Sequence, residues 1–187
     1  MKTVIQMLVV LTGIGLISGG LLFQVSSWAD PMIAVNKQKA TEEAIYIVQP
    51  EGKSYEKISA GDFEGYKVFG QNKDLIGYAF VYEGNGFQGK IRIMIGIQPD
   101  LSKISSIEIL EQSETPGLGT KVTEEPFKTK FKGLNSKGSI GWVKEGASPK
   151  DNEIIAITGA TISSKSVVAI IDTGLKKLRT LKEGGKL

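Results

Sequence analysis

Apolar residues are spaced along this chain in three ways, and each spacing predicts a different element. From Val4 to Val25 they run without a charged residue, VIQMLVVLTGIGLISGGLLFQV, close to the twenty or so residues a helix needs to cross a bilayer. The run predicts one spanning helix in an anchor over 1–29, and Gly13, Gly15, Gly19 and Gly20 give it small faces where another helix can pack. A cleaved signal peptide is the competing reading, since Ser27 and Ala29 put small residues at a cleavage position. The length of the run and Pro31 argue against cleavage, and Trp28 suits a membrane interface.

A mixed segment over 30–66 follows, read as a connection. Val35 to Val48 suits a helix with Lys37, Lys39, Glu42 and Glu43 on its wet side, although Ile45 to Val48 suits a strand equally well. Pro50 ends it, and Lys53 to Val68, polar with Gly61 and Gly65, predicts a strand or an irregular link.

Period-two spacing takes over next. Leu75–Tyr82, Gly89–Ile97 and Ile104–Leu110 are three strand-like runs, and in the second Ile91, Ile93, Ile95 and Ile97 alternate with Arg92, Met94 and Gly96. The Asn-Gly in Glu83-Gly84-Asn85-Gly86 predicts a hairpin there. The expectation is an antiparallel meander with one buried face. Val122–Lys132 then has near-helical spacing and Gly138–Val143 suits a short strand.

The third pattern is a switch of period within one stretch, Ile154 to Val168. Ile154, Ile155, Ala156 and Ile157 form a short apolar run, the chain breaks at Thr158-Gly159-Ala160-Thr161, and Val167, Val168, Ile171, Leu175 and Leu178 resume with helical spacing to about Leu181. That predicts strand, tight turn and helix, hence an α+β domain with helices packed on the meander. Free N–H groups and the positive dipole end at the helix start favour a phosphate.

Composition removes more than it adds. With 187 residues, 41% hydrophobic and 23% charged, the chain suits one globular domain with an appendage. The net charge of +3 is too small and too mixed to argue for a nucleic-acid partner. There is no Cys and no His, which removes Cys-ligated iron–sulfur clusters, His-ligated haem, the usual zinc sites, Cys nucleophiles and the Ser-His-Asp triad. No metal site is expected. Redox chemistry in such a chain requires an organic cofactor.

The turn carries a closer signal. Thr158-Gly159-Ala160-Thr161 resembles the S/T-G-A-T signature of FMN-binding domains in which a threonine carries the flavin through a phosphoester, and Glu114-Thr115-Pro116-Gly117-Leu118-Gly119 resembles their ETPGLG loop. With the apolar N-terminus, the chain from about Val68 onward is similar to the G subunit of the Rnf electron-transport complex, and less closely to the C subunit of the sodium-pumping NADH:quinone reductase. The resemblance implies an FMN-binding domain over 67–187, covalent FMN on Thr161 placed there by a flavin transferase acting on FAD, and other membrane subunits as partners. It implies a globular part facing away from the cytoplasm, where charge alone nearly ties. The protein would be an electron carrier that does not turn over a substrate alone.

By the same resemblance Thr158, Gly159, Ala160, Ile162, Ser163 and Ser164 surround the phosphate, and Glu114, Thr115, Gly117, Leu118 and Gly119 lie across the flavin. Leu118 would pack on the ring. Glu114 would bring it a negative charge, with Lys121 and Lys165 the nearest cations in sequence. The family pattern usually has an aspartate three residues before the first motif threonine; this position is Ile155 here, with Glu153 the nearest acid.

Two rival readings stand beside this one. Gly159 to Ser166 fits the P-loop GxxxxGK[ST] except that Ser164 replaces the second glycine. Alternatively the chain is a membrane-anchored binding or scaffold module that holds no flavin.

Overall fold

The computed structural model describes residues 1–61 and 63–187. By contact the chain divides into two units, Met1–Ala40 and Thr41–Leu187. The boundary falls inside a long first helix, α1 (Lys2–Val48), which continues through Pro31. Its apolar window has a mean hydropathy of 2.0 and none of it is buried. Among the described residues this is the one helix long and apolar enough to cross a membrane.

The end of α1 settles the ambiguity at 45–48 in favour of helix. Thr41, Ala44, Ile45 and Val48 are buried and follow helical spacing, so one face of the last turns can enter a core as a strand's alternation could not.

Five strands make the sheet: β1 (Ser54–Ala60), β2 (Phe63–Phe69), β3 (Leu75–Asn85), β4 (Lys90–Ile97) and β5 (Ile104–Gln112). They pair antiparallel in chain order. The meander is therefore two strands wider than the three runs of period two suggest, and residues 54–60 and 63–69 belong to it. In β2 the buried positions are Phe63 and Gly65 on one face and Tyr66 and Val68 on the other, so neither face shows a clean alternation.

The sheet is buried on both faces, not one. On the first, Ile91, Ile93, Ile95 and Ile97 of β4 join Phe80, Phe127, Phe131 and the apolar side of a C-terminal helix, α3 (Thr161–Glu183). On the second, Met94, Val68, Ala79 and Val81 pack with Ala44, Ile45 and Val48. Gly96 makes this second approach possible, because a Cβ there would lie 2.5 Å from the Val48 carbonyl oxygen. Gln49 completes the seam by donating from Nε2 to the carbonyls of Tyr78 and Ile97, each at 3.0 Å.

Between β5 and α3 the chain is short and irregular. The helix expected over 122–132 is three pieces, a 3-10 turn Gly119–Thr123, α2 (Glu125–Lys128) and a second 3-10 turn Thr129–Phe131. Pro126 explains the break, since it lacks the N–H that would continue the preceding turn and so restarts the helix. Lys128 fixes this segment to β5 through Glu108 at 2.7 Å, with Glu125 at the same distance. Burial lowers the affinity of Lys128 for its proton, but the hydrogen bonds it donates to the two carboxylates outweigh this and hold the ammonium above the usual lysine value. Two three-residue strands, β6 (Gly141–Val143) and β7 (Glu153–Ile155), pair parallel beside the main sheet. β7 delivers the chain to the turn before α3.

Candidate cofactor site

The turn after β7 is tight because Gly159 adopts φ +83, a left-handed conformation open to glycine, and because Ala160 N donates to the Ile157 carbonyl at 3.0 Å. Helix α3 starts at Thr161 without a side-chain cap. Ser164 N is spent on the Ala160 carbonyl at 2.9 Å. Among the described residues, the N–H groups of Thr161, Ile162 and Ser163 find no acceptor. These three groups, not Ile162 to Ser164, are the open donors at the positive end of the helix.

The serines of this first turn face inward. Ser163 Oγ donates to the Glu114 carboxylate, and Ser164 Oγ accepts from Ile157 N at 3.0 Å. Both serines are buried. They brace the turn, leaving Thr161 as the half-exposed hydroxyl beside the open donors.

A cavity of about 280 Å³ lies against this helix start, lined by Thr115, Leu118 and Gly119 from one loop, Gly159 to Ser163 from the other, and Phe87 from the tip of the β3–β4 hairpin. The two motif loops, more than thirty residues apart in sequence, touch here: a Cβ on Gly159 would sit 3.6 Å from Leu118 Cδ2. The ETPGLG loop turns at Gly117, φ +75, and is closed by Leu118 N and Thr120 N, both donating to the Thr115 carbonyl at 3.2 Å. Its Leu118 is 49% exposed, Ile162 55% and Phe87 62%, so three large apolar side chains face solvent around one small cavity. Singly such residues are ordinary; clustered on a cleft they mark a binding surface.

Not every candidate lines it. Gly117 shapes its loop, and Ser164 lies behind the helix start. Glu114 is buried at 4% exposure, and its carboxylate accepts from Phe87 N at 2.8 Å, Gln88 N at 3.2 Å and Ser163 Oγ. The negative charge expected to face the cavity is turned into the body of the domain and occupied by three donors. Lys121 and Lys165 belong to other clefts, of about 330 and 530 Å³.

Thr158 points the other way. It lines the 330 Å³ cleft with Ile155 and Glu145, and its hydroxyl donates to Glu145. Glu145 is thus the carboxylate nearest the turn. Glu153 is directed elsewhere, accepting from Lys150 N at 3.0 Å.

Phe87 and Glu145 escape sequence reasoning. Phe87 is a lone aromatic in a glycine-rich tip, a weak signal, and Glu145 lies in a loop with no spacing relation to Thr158. The hairpin turn itself is displaced from 83–86 to 86–89, where Gly86 N donates to the Gly89 carbonyl at 2.7 Å and Asn85 still pairs with Lys90.

The P-loop reading does not survive this geometry. Such a loop wraps phosphates with its extended backbone before the helix begins, whereas Thr161 to Ser166 are already inside α3.

The donor set fits a flavin mononucleotide: apolar side chains for a flat ring, open N–H groups for a phosphate, a hydroxyl beside them. At about 280 Å³ the cavity is just below the roughly 300–1,000 Å³ of clefts that enclose drug-sized ligands, so it has room for only part of such a group. Known proteins point the same way. The chain is 26% identical over 175 residues to the G subunit of an ion-translocating oxidoreductase complex of Methanosarcina acetivorans, covering 89% of this chain and 90% of that one. It is 28% identical to the G subunit of the proton-translocating ferredoxin:NAD(+) oxidoreductase complex of Clostridium ljungdahlii, covering 91% and 88%. Its fold resembles the crystal structure of Shewanella oneidensis NqrC with a TM-score of 0.56 at 21% identity, over 71% of this chain and 74% of that one. Residues 86–176, which hold both motif loops, match the FMN-binding domain.

Proposed function

We propose that this protein is the G-type subunit of a membrane-bound, Rnf-like ion-translocating oxidoreductase, an electron carrier with FMN joined to Thr161. The observation that carries the reading is the convergence, on one cavity, of both motif loops with a hydroxyl and three open N–H groups. Likeness to the G subunits of two such complexes over nine-tenths of the chain supports the assignment to a complex. Bound FMN supplies one- and two-electron transfer between other redox centres.

The chain's own residues have distinct parts in this reading. Thr161 would hold the FMN phosphate through its Oγ1, the attachment being made by a flavin transferase acting on FAD. The N–H groups of Thr161, Ile162 and Ser163 hold the phosphate. Leu118, Ile162 and Phe87 cover the ring and keep water from part of it, while Glu145 steadies the turn through Thr158 and leaves the Thr161 side open to the transferase. Residues 1–29 anchor the protein, with the domain on the extracytoplasmic side and the remaining subunits of the complex as partners.

The test is the intact mass and colour of the full chain made with and without the transferase. An added mass of one FMN and a yellow protein, both dependent on the transferase, support the reading. A colourless protein of unmodified mass supports the flavin-free scaffold instead.

Anchoring is tested separately. The mature protein retains Met1 or Lys2 and leaves the membrane only with detergent, because a helix of this length and apolarity inserts stably. An amino terminus at Asp30 would make the segment a signal peptide.

A further inference from the structure

The Glu114 carboxylate joins three parts of the fold that do not otherwise need to meet. It lies at the end of the β5 side of the motif loop, its own N–H donating to Gln112 Oε1 at 2.6 Å. One oxygen, Oε1, takes the backbone N–H groups of Phe87 and Gln88 at the hairpin tip, and the other takes the Ser163 hydroxyl in the first turn of α3. A buried carboxylate with all its charge met by donors is a strong and directional tie, since charge-assisted hydrogen bonds are about twice as strong as neutral ones.

The surroundings are shaped to this tie. A Cβ on Gly86 would lie 2.2 Å from Glu114 Oε1, and one on Gly119 would lie 2.8 Å from Glu114 Cβ and 2.9 Å from the Ser163 hydroxyl oxygen. Both glycines leave the space that the carboxylate fills. The hairpin turns at 86–89 and not at the expected 83–86, and there the Phe87 and Gln88 amides face Glu114. The result is that Phe87, 62% exposed and with its backbone pinned, borders the cavity opposite Leu118 and Ile162.

We infer that Glu114 is a positioning residue: it clamps the 86–89 hairpin tip onto the start of α3, so that Phe87 forms a fixed wall of the flavin cavity. The inference rests on the reading of that cavity as an FMN site. Glu114 acts through Phe87 and does not itself meet the ring.

The experiment uses the full chain matured with the flavin transferase, comparing wild type with Glu114→Ala, Glu114→Gln and Phe87→Ala. It records amide hydrogen exchange at Phe87 and Gln88 and the visible circular dichroism of the flavin, which reports the asymmetry of the ring's surroundings. Glu114→Ala should speed exchange at both amides roughly tenfold or more, as expected for losing a bond to a charged acceptor, and should shift the dichroism in the same direction as Phe87→Ala. Glu114→Gln keeps one acceptor oxygen and should fall between Glu114→Ala and wild type in both readouts. If Glu114→Ala does not fold, Glu114→Gln carries the same comparison. An unmoved dichroism in Phe87→Ala, or fast exchange in the Glu114 variants with the dichroism of wild type, overturns the clamp while leaving the FMN reading intact. A wild type without flavin overturns both.

Discussion

Thr161→Val should abolish the covalent flavin while leaving the domain folded. The substitution removes one hydroxyl and keeps the β-branched shape, and position 161 is the first residue of α3, half-exposed and outside the core. Its effect on stability should stay within about 0.5 kcal/mol, as for surface changes that break no cap or core contact; Ala160 at the cap makes no side-chain hydrogen bond to lose. Flavin fluorescence in a denaturing gel reads only flavin held by a bond, so the expected result is complete loss from Thr161→Val. Thr158→Ala should keep fluorescence, because its hydroxyl is directed to Glu145 in a different cleft. Fluorescence that persists after denaturation of Thr161→Val would place the attachment elsewhere. The two variants together test Thr161 as the proposed attachment residue against Thr158, whose hydroxyl is bonded to Glu145.

The contrast between these threonines was only half legible in the sequence. Two hydroxyls three residues apart on a turn look equivalent until the left-handed Gly159 sends them to opposite sides. The glutamate of the other loop shows the same limit. In sequence it is an acid beside a motif, so its charge is naturally assigned to the cofactor, and nothing local reveals that the partners it meets are amides of a hairpin tip twenty-six and twenty-seven residues upstream and a serine forty-nine residues downstream. Strand β4 was legible because its four isoleucines keep strict alternation. Strands β1 and β2 were less so, a strand over 53–68 standing beside an irregular link, because the sheet is covered on both faces and the apolar residues of β2 divide between them. The two motifs implied a site through their resemblance to a known family, yet the place of Phe87 on the cavity depends on tertiary hydrogen bonds that no short-range pattern encodes.

Two phenylalanines on one hairpin should therefore behave oppositely, and Phe80→Ala carries the larger effect on stability. Phe80 in β3 is fully buried and its ring stacks on Phe63 with centroids 5.7 Å apart. Helix α3 comes close enough at Gly174 that a Cβ there would lie 2.9 Å from the Phe80 ring, so this ring is part of the floor on which α3 rests. Truncating a buried phenylalanine removes apolar burial and leaves a cavity that close-packed neighbours fill only in part, costing about 3–5 kcal/mol. Against the roughly 5–15 kcal/mol that typically stabilises a domain, that is a large share, and thermal or denaturant unfolding of Phe80→Ala should show a strongly lowered midpoint. Phe87→Ala, seven residues further along, removes a ring that is 62% exposed and should stay within about 0.5 kcal/mol of wild type while changing the flavin spectrum. A Phe80→Ala protein as stable as wild type would mean that α3 is held on the sheet by other contacts, and the seating of Gly174 on that ring would then be a consequence of the packing rather than its cause.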